Sequence, residues 1–550
     1  MSASSKKKLR KELNAAAMTE KQLLEQKETK KLRLYTGLFA AAIAVMILVV
    51  VFGRVVSSGF IPRNTTALTV GGTKISAAEL NHYYIDSVNN FLNQAGDMVS
   101  MFGLDSTKAL DEQYYNEAEG DTWADYFLDQ ATTSAQNMYA VYNAAKAEGF
   151  TLSQEAKDSI DATVENLKLY ATMYGFPSAD SYIVAMYGEG CNEKTFREYA
   201  EVQMIAQEYA VAKNESLTYD EAAIQAENDL NPAAYSAYTY NYCYLNASKF
   251  YQGGTENEDG TKTYTDEEMA AGRAAAEAAA NTLAAATTAA ELDAAYAALE
   301  INAESTSAKS TRMEKTQYAN VNTTIREWVT APERKAGDMK VIPSEYTSHD
   351  HADGEECTGD NDTKSVSGYY VVLFEGMDEN LTELVNVRHI LVSFEGGKTD
   401  ETTGVVTYSD EEKAAAKAKA EEILAAYEAG EKTEDAFAAL ATEKTTDPGS
   451  KENGGLYENV YPGQMVVNFN DWCFDAARKT GDTGLVETEY GYHVMYFVGN
   501  SGMTYRDFMI DSTLRNNDMS AWENELIEAA ELVVENTKYV KSDLTLSSNS

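Results

Sequence analysis

The chain is short of basic residues, of cysteine and of proline, and each shortage removes a class of function. Lys and Arg number 45 against 87 Asp and Glu, a formal net charge of −42. A nucleic-acid binder presents a basic face, so this balance excludes nucleic acid as a partner. It favours solubility, and with it basic clients or a cation-rich surface. The four cysteines, Cys191, Cys243, Cys357 and Cys473, are scattered and form no C-x-x-C pair. Neither a zinc ribbon nor a thioredoxin-type site is therefore supported, and no metal or cofactor is expected. Pairing in an exported chain and burial as small apolar residues both stay open. Seven prolines and 34 glycines in 550 residues, among many alanines, point to a mostly helical chain. That length is too great for one core and predicts three or four domains.

What is present first is a charge-free run, Leu34 to Gly53, of 20 residues. As a helix it spans about 30 Å, the thickness of a bilayer core. Ten Lys or Arg and four Glu precede it, and only Arg54 and Arg63 follow before the acidic bulk begins. The expectation is a single N-terminal transmembrane helix over 34–56, a basic cytoplasmic tail over 1–33, and everything beyond outside the cytoplasm. A cleaved signal peptide would end in an A-x-A-like site, whereas Arg54-Val-Val-Ser-Ser-Gly-Phe follows here.

Residues 67–235 read as two short strands about Gly71-Gly72, a helix capped by Ser76 with Glu79 three residues on, and then long helices. Tyr170, Met173, Tyr174, Tyr182, Met186 and Tyr187 recur on them, either as core or as an adaptable groove for unfolded chain. His82, among tyrosines, reads as structural. The opening V-G-G-T-K-I-S-A-A-E-L resembles the start of the chaperone region of SurA- and PrsA-type foldases.

A unit then occurs twice. Tyr264–Glu268, Trp328, Gly337-Asp338 and Glu345-Tyr346 recur as Tyr408–Glu412, Trp472, Gly481-Asp482 and Glu489-Tyr490, all at an offset of 144. The closing Gly368-Tyr-Tyr-Val-Val recurs as Gly491-Tyr-His-Val-Met at 123, which leaves a 21-residue insert, 347–367, in the first copy. Each copy reads strand, helix, helix, helix, strand, predicting an antiparallel sheet with helices on one side. The copies, 236–376 and 385–499, differ where chemistry would lie. The second has His389 on its first strand and His493 on its last. The first has no histidine from Tyr235 to Leu245 and has Tyr370 in place of His493, so it reads as a fold with its site removed. The insert holds His349, His351 and Cys357 among carboxylates and reads as a solvated acidic loop, a metal site being the lesser alternative.

The second copy, with V-R-H-I-L-V, D-P-G-S-K-E-N-G-G, P-G-Q-M-V-V-N-F and E-Y-G-Y-H-V, resembles the parvulin family of peptidyl-prolyl isomerases, as found in PrsA-type extracellular foldases. The resemblance implies an α+β chain made of a helical SurA-N-like chaperone domain, two parvulin-like domains of which the first is degenerate, and a C-terminal helix. It also implies that unfolded or newly exported polypeptides with X-Pro bonds are the partners, and it assigns the site. His389, Asp447 and His493 would be the catalytic group. Met465 and Phe469, four apart and able to share a helical face, would grip the proline ring with Tyr490. Asp447 stands where family members carry Cys or Asp near the substrate carbonyl, which suggests electrostatics and argues against covalent catalysis. The usual G-G-D-L-G reads Gly454-Gly455-Leu456-Tyr457-Glu458, so the turn departs from the family. The acidic loop Glu395–Asp410 lacks the basic cluster of phosphate-directed members. A helical segment over 500–540, anchored by Trp522, is expected to pack on the helical domain, and 541–550 to be a disordered tail.

Overall fold

The computed structural model describes residues 58–541 except 304, 306, 350–361 and 401, together with residues 4–8, 43, 46 and 544. Among these no helix is long and apolar enough to cross a membrane. This corrects the expected fold class: the described fold contains no transmembrane helix. The physical reason is composition. The long described helices, such as Trp123–Ala147 and Tyr505–Ala529, carry charged residues along their lengths. Residues 34–56, apart from Ile43 and Met46, lie outside the described residues, as does most of 1–33.

The chain divides into two compact units, Met1–Thr218 with Asn516–Ser550, and Tyr219–Arg515. In the first, strands Thr66–Val70 and Thr73–Ser76 form a hairpin. Ser76 then caps helix Ala77–Ala95 by accepting from the Glu79 amide. Helix Trp123–Ala147 opens with a capping box of Thr122 and Asp125, and helices Gln154–Met173, Ala179–Tyr187 and Glu193–Ser216 follow. Leu68, Ile75, Leu80, Tyr84 and Phe127 are fully buried in the shared core. Trp522 packs on Tyr209 at 5.7 Å, and a short strand, Leu532–Val534, which sequence periodicity had not suggested, adds to the hairpin beside Thr66–Val70. Within the expected disordered tail Leu544 is buried, and its carbonyl accepts from Leu110 N at 3.0 Å.

His82 is fully buried among Tyr187, Phe196 and Tyr199, and burial pushes its imidazole down to about 3. The recurring aromatic and methionine residues divide between surface and interior: Met173 and Tyr174 are 68% exposed, whereas Tyr187 packs against the core.

The second unit holds two antiparallel sheets of the same strand order. The first runs Thr311–Gln317, Ala237–Asn246, Asp362–Asp378, Met339–His349. The second runs Leu456–Val460, Glu383–Ser393, Gly491–Thr504, Thr483–Thr488. Each of these sheets therefore has two strands more than the periodicity indicated. The missed strands lie at sheet edges, where one exposed flank weakens apolar alternation. The repeat extends to single bonds. Gly337 N donates to Phe374 O and Phe374 N to Asp338 O, as Gly481 N does to Phe497 O and Phe497 N to Asp482 O, all at 2.9 Å. The insert is not simply a loop. Its two ends extend the hairpin, Thr347 opposite Lys364 and His349 opposite Asp362, while 350–361, with His351 and Cys357, lie outside the described residues.

The second sheet is covered on both faces, not on one. Ile390, Val392, Val494 and Tyr496 face helices Asp410–Ala429 and Glu434–Lys444. Val387, Met495 and Phe497 face the short helix Val467–Cys473. The period of two along each strand puts His389 and His493 on this second face. Cys191, Cys243 and Cys473 are buried and free.

Candidate active site

The opening strand, Glu383–Ser393, and the closing strand, Gly491–Thr504, pair antiparallel with His389 opposite Met495 and Leu391 opposite His493. The histidines are diagonal neighbours, and their rings stack at 5.2 Å and 23°. Both are nearly buried, at 3% and 5% exposure. Their Nδ1 atoms are 3.0 Å apart. His389 Nε2 lies 3.0 Å from Asp447 Oδ2 and 3.1 Å from Ser450 Oγ. His493 Nε2 lies 2.8 Å from Thr488 Oγ1, which also accepts from Tyr490 N.

With both imidazoles neutral, these contacts admit one consistent arrangement of hydrogens. The carboxylate can only accept, so His389 Nε2–H donates to it. His389 Nδ1 is then the acceptor for His493 Nδ1–H. His493 Nε2 in turn accepts from the Thr488 hydroxyl. Both imidazoles are neutral, and every ring nitrogen is satisfied. Burial holds both below the ordinary imidazole value. His493 falls to about 3, with His389 adding to the effect, while Asp447 partly opposes the shift at His389. At Asp447 burial works against ionisation, but the hydrogen bonds from Ser450, His389 and the Gly449 amide outweigh it, leaving the carboxyl below its ordinary value.

The loop carrying Asp447 is tied to the opening strand. Thr446 N donates to Leu391 O at 2.9 Å, and Leu391 N donates to Thr445 Oγ1 at 3.0 Å. Behind the loop, Arg388 bonds Glu434 at 3.0 Å and the carbonyls of Asn453 and Gly454 at 2.8 and 3.0 Å. Gly455 has φ +75°, and a side chain there would press into the carbonyl of His389. The close approach is functional in form, since His389 N donates to Gly455 O at 2.8 Å.

A cavity of about 620 Å³ opens over the pair. It is lined by His389, Asp447, His493, Met465, Phe469 and Tyr490, so the structure brings together all six residues singled out from sequence. Phe469 meets both imidazoles edge-on, at 5.6 Å and 5.3 Å. Met465 precedes the helix Val467–Cys473 and reaches the cavity from the loop, so the two do not share a helical face as their spacing suggested. Sequence reasoning missed Ser450, Thr488 and Tyr457. Ser450 was visible only as the fourth residue of D-P-G-S, and Tyr457 only as a departure from the expected turn. Thr488 carried no signal until the strand pairing placed it beside His493.

In the first copy the pairing puts Tyr242 opposite Val372 and Tyr370 opposite Tyr244. Tyr242 thus stands where His389 stands, and Tyr370 where His493 stands, with the rings 5.9 Å apart. A tyrosine pair has replaced the imidazole pair.

These features agree with the parvulin resemblance read from the sequence of the second copy. Residues 369–499 match the PPIC-type PPIase domain. The chain is similar to foldase protein PrsA 1 of Listeria innocua, at 33% identity over 114 residues, 21% of this chain and 30% of that protein. It is also similar to a putative peptidyl-prolyl cis-trans isomerase, Cbf2, of Campylobacter jejuni, at 39% over 66 residues, 12% of this chain and 24% of that one. The solved structure of PrsA from Bacillus subtilis is 24% identical, with a TM-score of 0.20, over 30% of this chain and 56% of that one. The chain spans less than half the length of the first curated relatives. Residues 369–499 thus carry a PPIC-type PPIase domain, similar in sequence to part of PrsA-type foldases.

Proposed function

We propose that this chain is an extracytoplasmic folding factor that turns X-Pro bonds in unfolded, newly exported polypeptides. The observation that carries the reading is the apolar cavity set directly over the Thr488–His493–His389–Asp447 hydrogen-bond chain. Rotation about an amide crosses a barrier of about 18–20 kcal/mol set by resonance, and no bond is broken. The site needs no nucleophile, and burial pushes the nearby Cys473 thiol up to about 12, away from reactivity. With the proline ring against Met465 and Phe469, the preceding carbonyl faces Asp447. In the planar amide that oxygen carries resonance charge, and in the twisted amide it carries less. A fixed carboxylate beside it raises the planar forms more than the twisted one, which lowers the barrier. The two imidazoles bind nothing themselves. They orient Asp447 and keep water out.

The exposed Met173 and Tyr174 of the helical unit support a holding role for client chain beside the catalytic one. The tyrosine pair of the first copy favours a non-catalytic part for that domain. The test is NMR exchange on a proline peptide with the full chain and its Asp447→Asn variant. Catalysed exchange in the parent, reduced about tenfold or more in the variant, is the expected result. A folded parent without acceleration would leave a holding chaperone on an inactive parvulin fold.

A further inference from the structure

Tyr457 lies on the edge strand Leu456–Val460, opposite Val387 of the opening strand. Its ring lies over His389 at 4.9 Å and 30°, and it lines the cavity. Its hydroxyl reaches Asp447 Oδ2 at 3.1 Å. That oxygen therefore takes three donors: His389 Nε2–H, the Ser450 hydroxyl and the Tyr457 phenol. Two of them come from buried residues, His389 at 3% exposure and Ser450 at 0%. Tyr457 reaches the same oxygen from the edge strand and, like His389, lines the cavity. Asp447 Oδ1 accepts a single long bond, 3.3 Å, from Gly449 N.

The first copy supplies an internal comparison. Its equivalent edge strand places Met313 opposite Tyr240, the position that Tyr457 holds opposite Val387. The copy that lost its imidazole pair has no donor there. Phenol and pair are present together or absent together.

We propose that Tyr457 is a positioning residue for Asp447: its phenol clamps the carboxylate and holds it ionised against the substrate carbonyl. This rests on the isomerase reading of the same site. A carboxylate held by three donors has little freedom to turn, and each donor favours its charged form. The phenol stays protonated throughout the working range, since burial and the Asp447 charge push it up to about 12. Its ring also forms part of the cavity wall, and a role in packing alone would survive removal of the hydroxyl.

The experiment compares the full chain with Tyr457→Phe, which keeps the ring, and Tyr457→Leu, which does not. Two quantities are read: the Asp447 carboxyl titration by 13C NMR, and kcat and KM for proline-peptide exchange across pH. Tyr457→Phe is expected to move the Asp447 midpoint and the acid limb of kcat upward by about one pH unit. It should lower kcat several-fold and leave KM within about twofold, since the ring stays. Tyr457→Leu should raise KM as well. An unmoved Asp447 midpoint in a folded Tyr457→Phe variant overturns the proposal, whatever the activity. If the parent itself does not accelerate exchange, the isomerase reading fails instead, and the carboxyl titration still decides whether Tyr457 positions Asp447.

Discussion

Acidification should loosen the imidazole pair before any other part of the second unit's catalytic copy. The hydrogen-bond chain has room for one rearrangement. A proton on His389 can be accommodated if both bonds reverse, with His389 Nδ1–H donating to His493 and His493 Nε2–H to Thr488. The Thr488 hydroxyl then loses its acceptor. A second proton would set two N–H groups against each other across the 3.0 Å Nδ1 contact. The magnitude follows from linkage. His493 is held at about 3, against about 6.5 in the unfolded chain. A depressed imidazole value means that the unfolded state binds more protons in between, so stability rises with pH. The contribution is fully present above about pH 6.5 and is lost as pH falls toward 3. From pH 6.5 to 4.5 the loss is about 2 kcal/mol, since an unfolded histidine is already half-protonated at pH 6.5, with a further loss of the same sign from His389. The suitable measurement is native-state hydrogen exchange of the Val494 and Met495 amides, because global unfolding of a chain with several cores need not be two-state. Opening should become easier by about this amount between pH 7 and 4.5, and His493→Asn should remove most of the dependence. An opening free energy equal at the two pH values would refute the reasoning, as would 15N-histidine spectra showing His493 half-protonated near 6.5.

Two further outcomes follow from close contacts in the two units. Gly455→Ala combines a left-handed backbone with a side chain driven into the His389 carbonyl, and should destabilise the catalytic copy by about 3 kcal/mol or more in chemical denaturation. In the helical unit, burial raises Glu79 to about 7, with Tyr139 as its hydrogen-bond partner and Glu198 nearby. A raised carboxyl favours its neutral form in the folded state, so stability is lost as pH rises from about 4.5 to 7. Glu79→Gln should stabilise helix Ala77–Ala95 at pH 8 by up to about 3 kcal/mol and flatten this dependence, read by hydrogen exchange of its amides.

Much of the helical framework was legible because its signals are local. Ser76 with Glu79, Thr265 with Glu268, and Ser409 with Glu412 act within one turn, and each capping contact forms. The edge strands Thr311–Gln317 and Leu456–Val460 were not legible. They exist because a longer neighbouring strand offers them a ladder, and nothing within their own few residues demands it. The insert was misread for a related reason. Polar composition suggested a loop, whereas continued pairing of its ends prolongs a hairpin already under way. The transmembrane reading of 34–56 rested on a charge-free run and the charges that flank it, and no described helix sustains it.

The sequence by itself determined which side chains the catalytic copy possesses and which the first copy lacks, since a repeat at a constant offset exposes every substitution. It also determined that His389 and His493 lie on strands, because apolar alternation is a property of adjacent residues. Only the tertiary structure decided which of their neighbours they meet. Ser450, Thr488 and Tyr457 join the site through strand register and loop closure, which bring together groups separated by up to about a hundred residues. Register also assigned Tyr242 and Met313 as the first copy's counterparts of His389 and Tyr457. A shift of one residue in either ladder would have turned those side chains to the opposite face, and that choice is made by burial over the whole sheet.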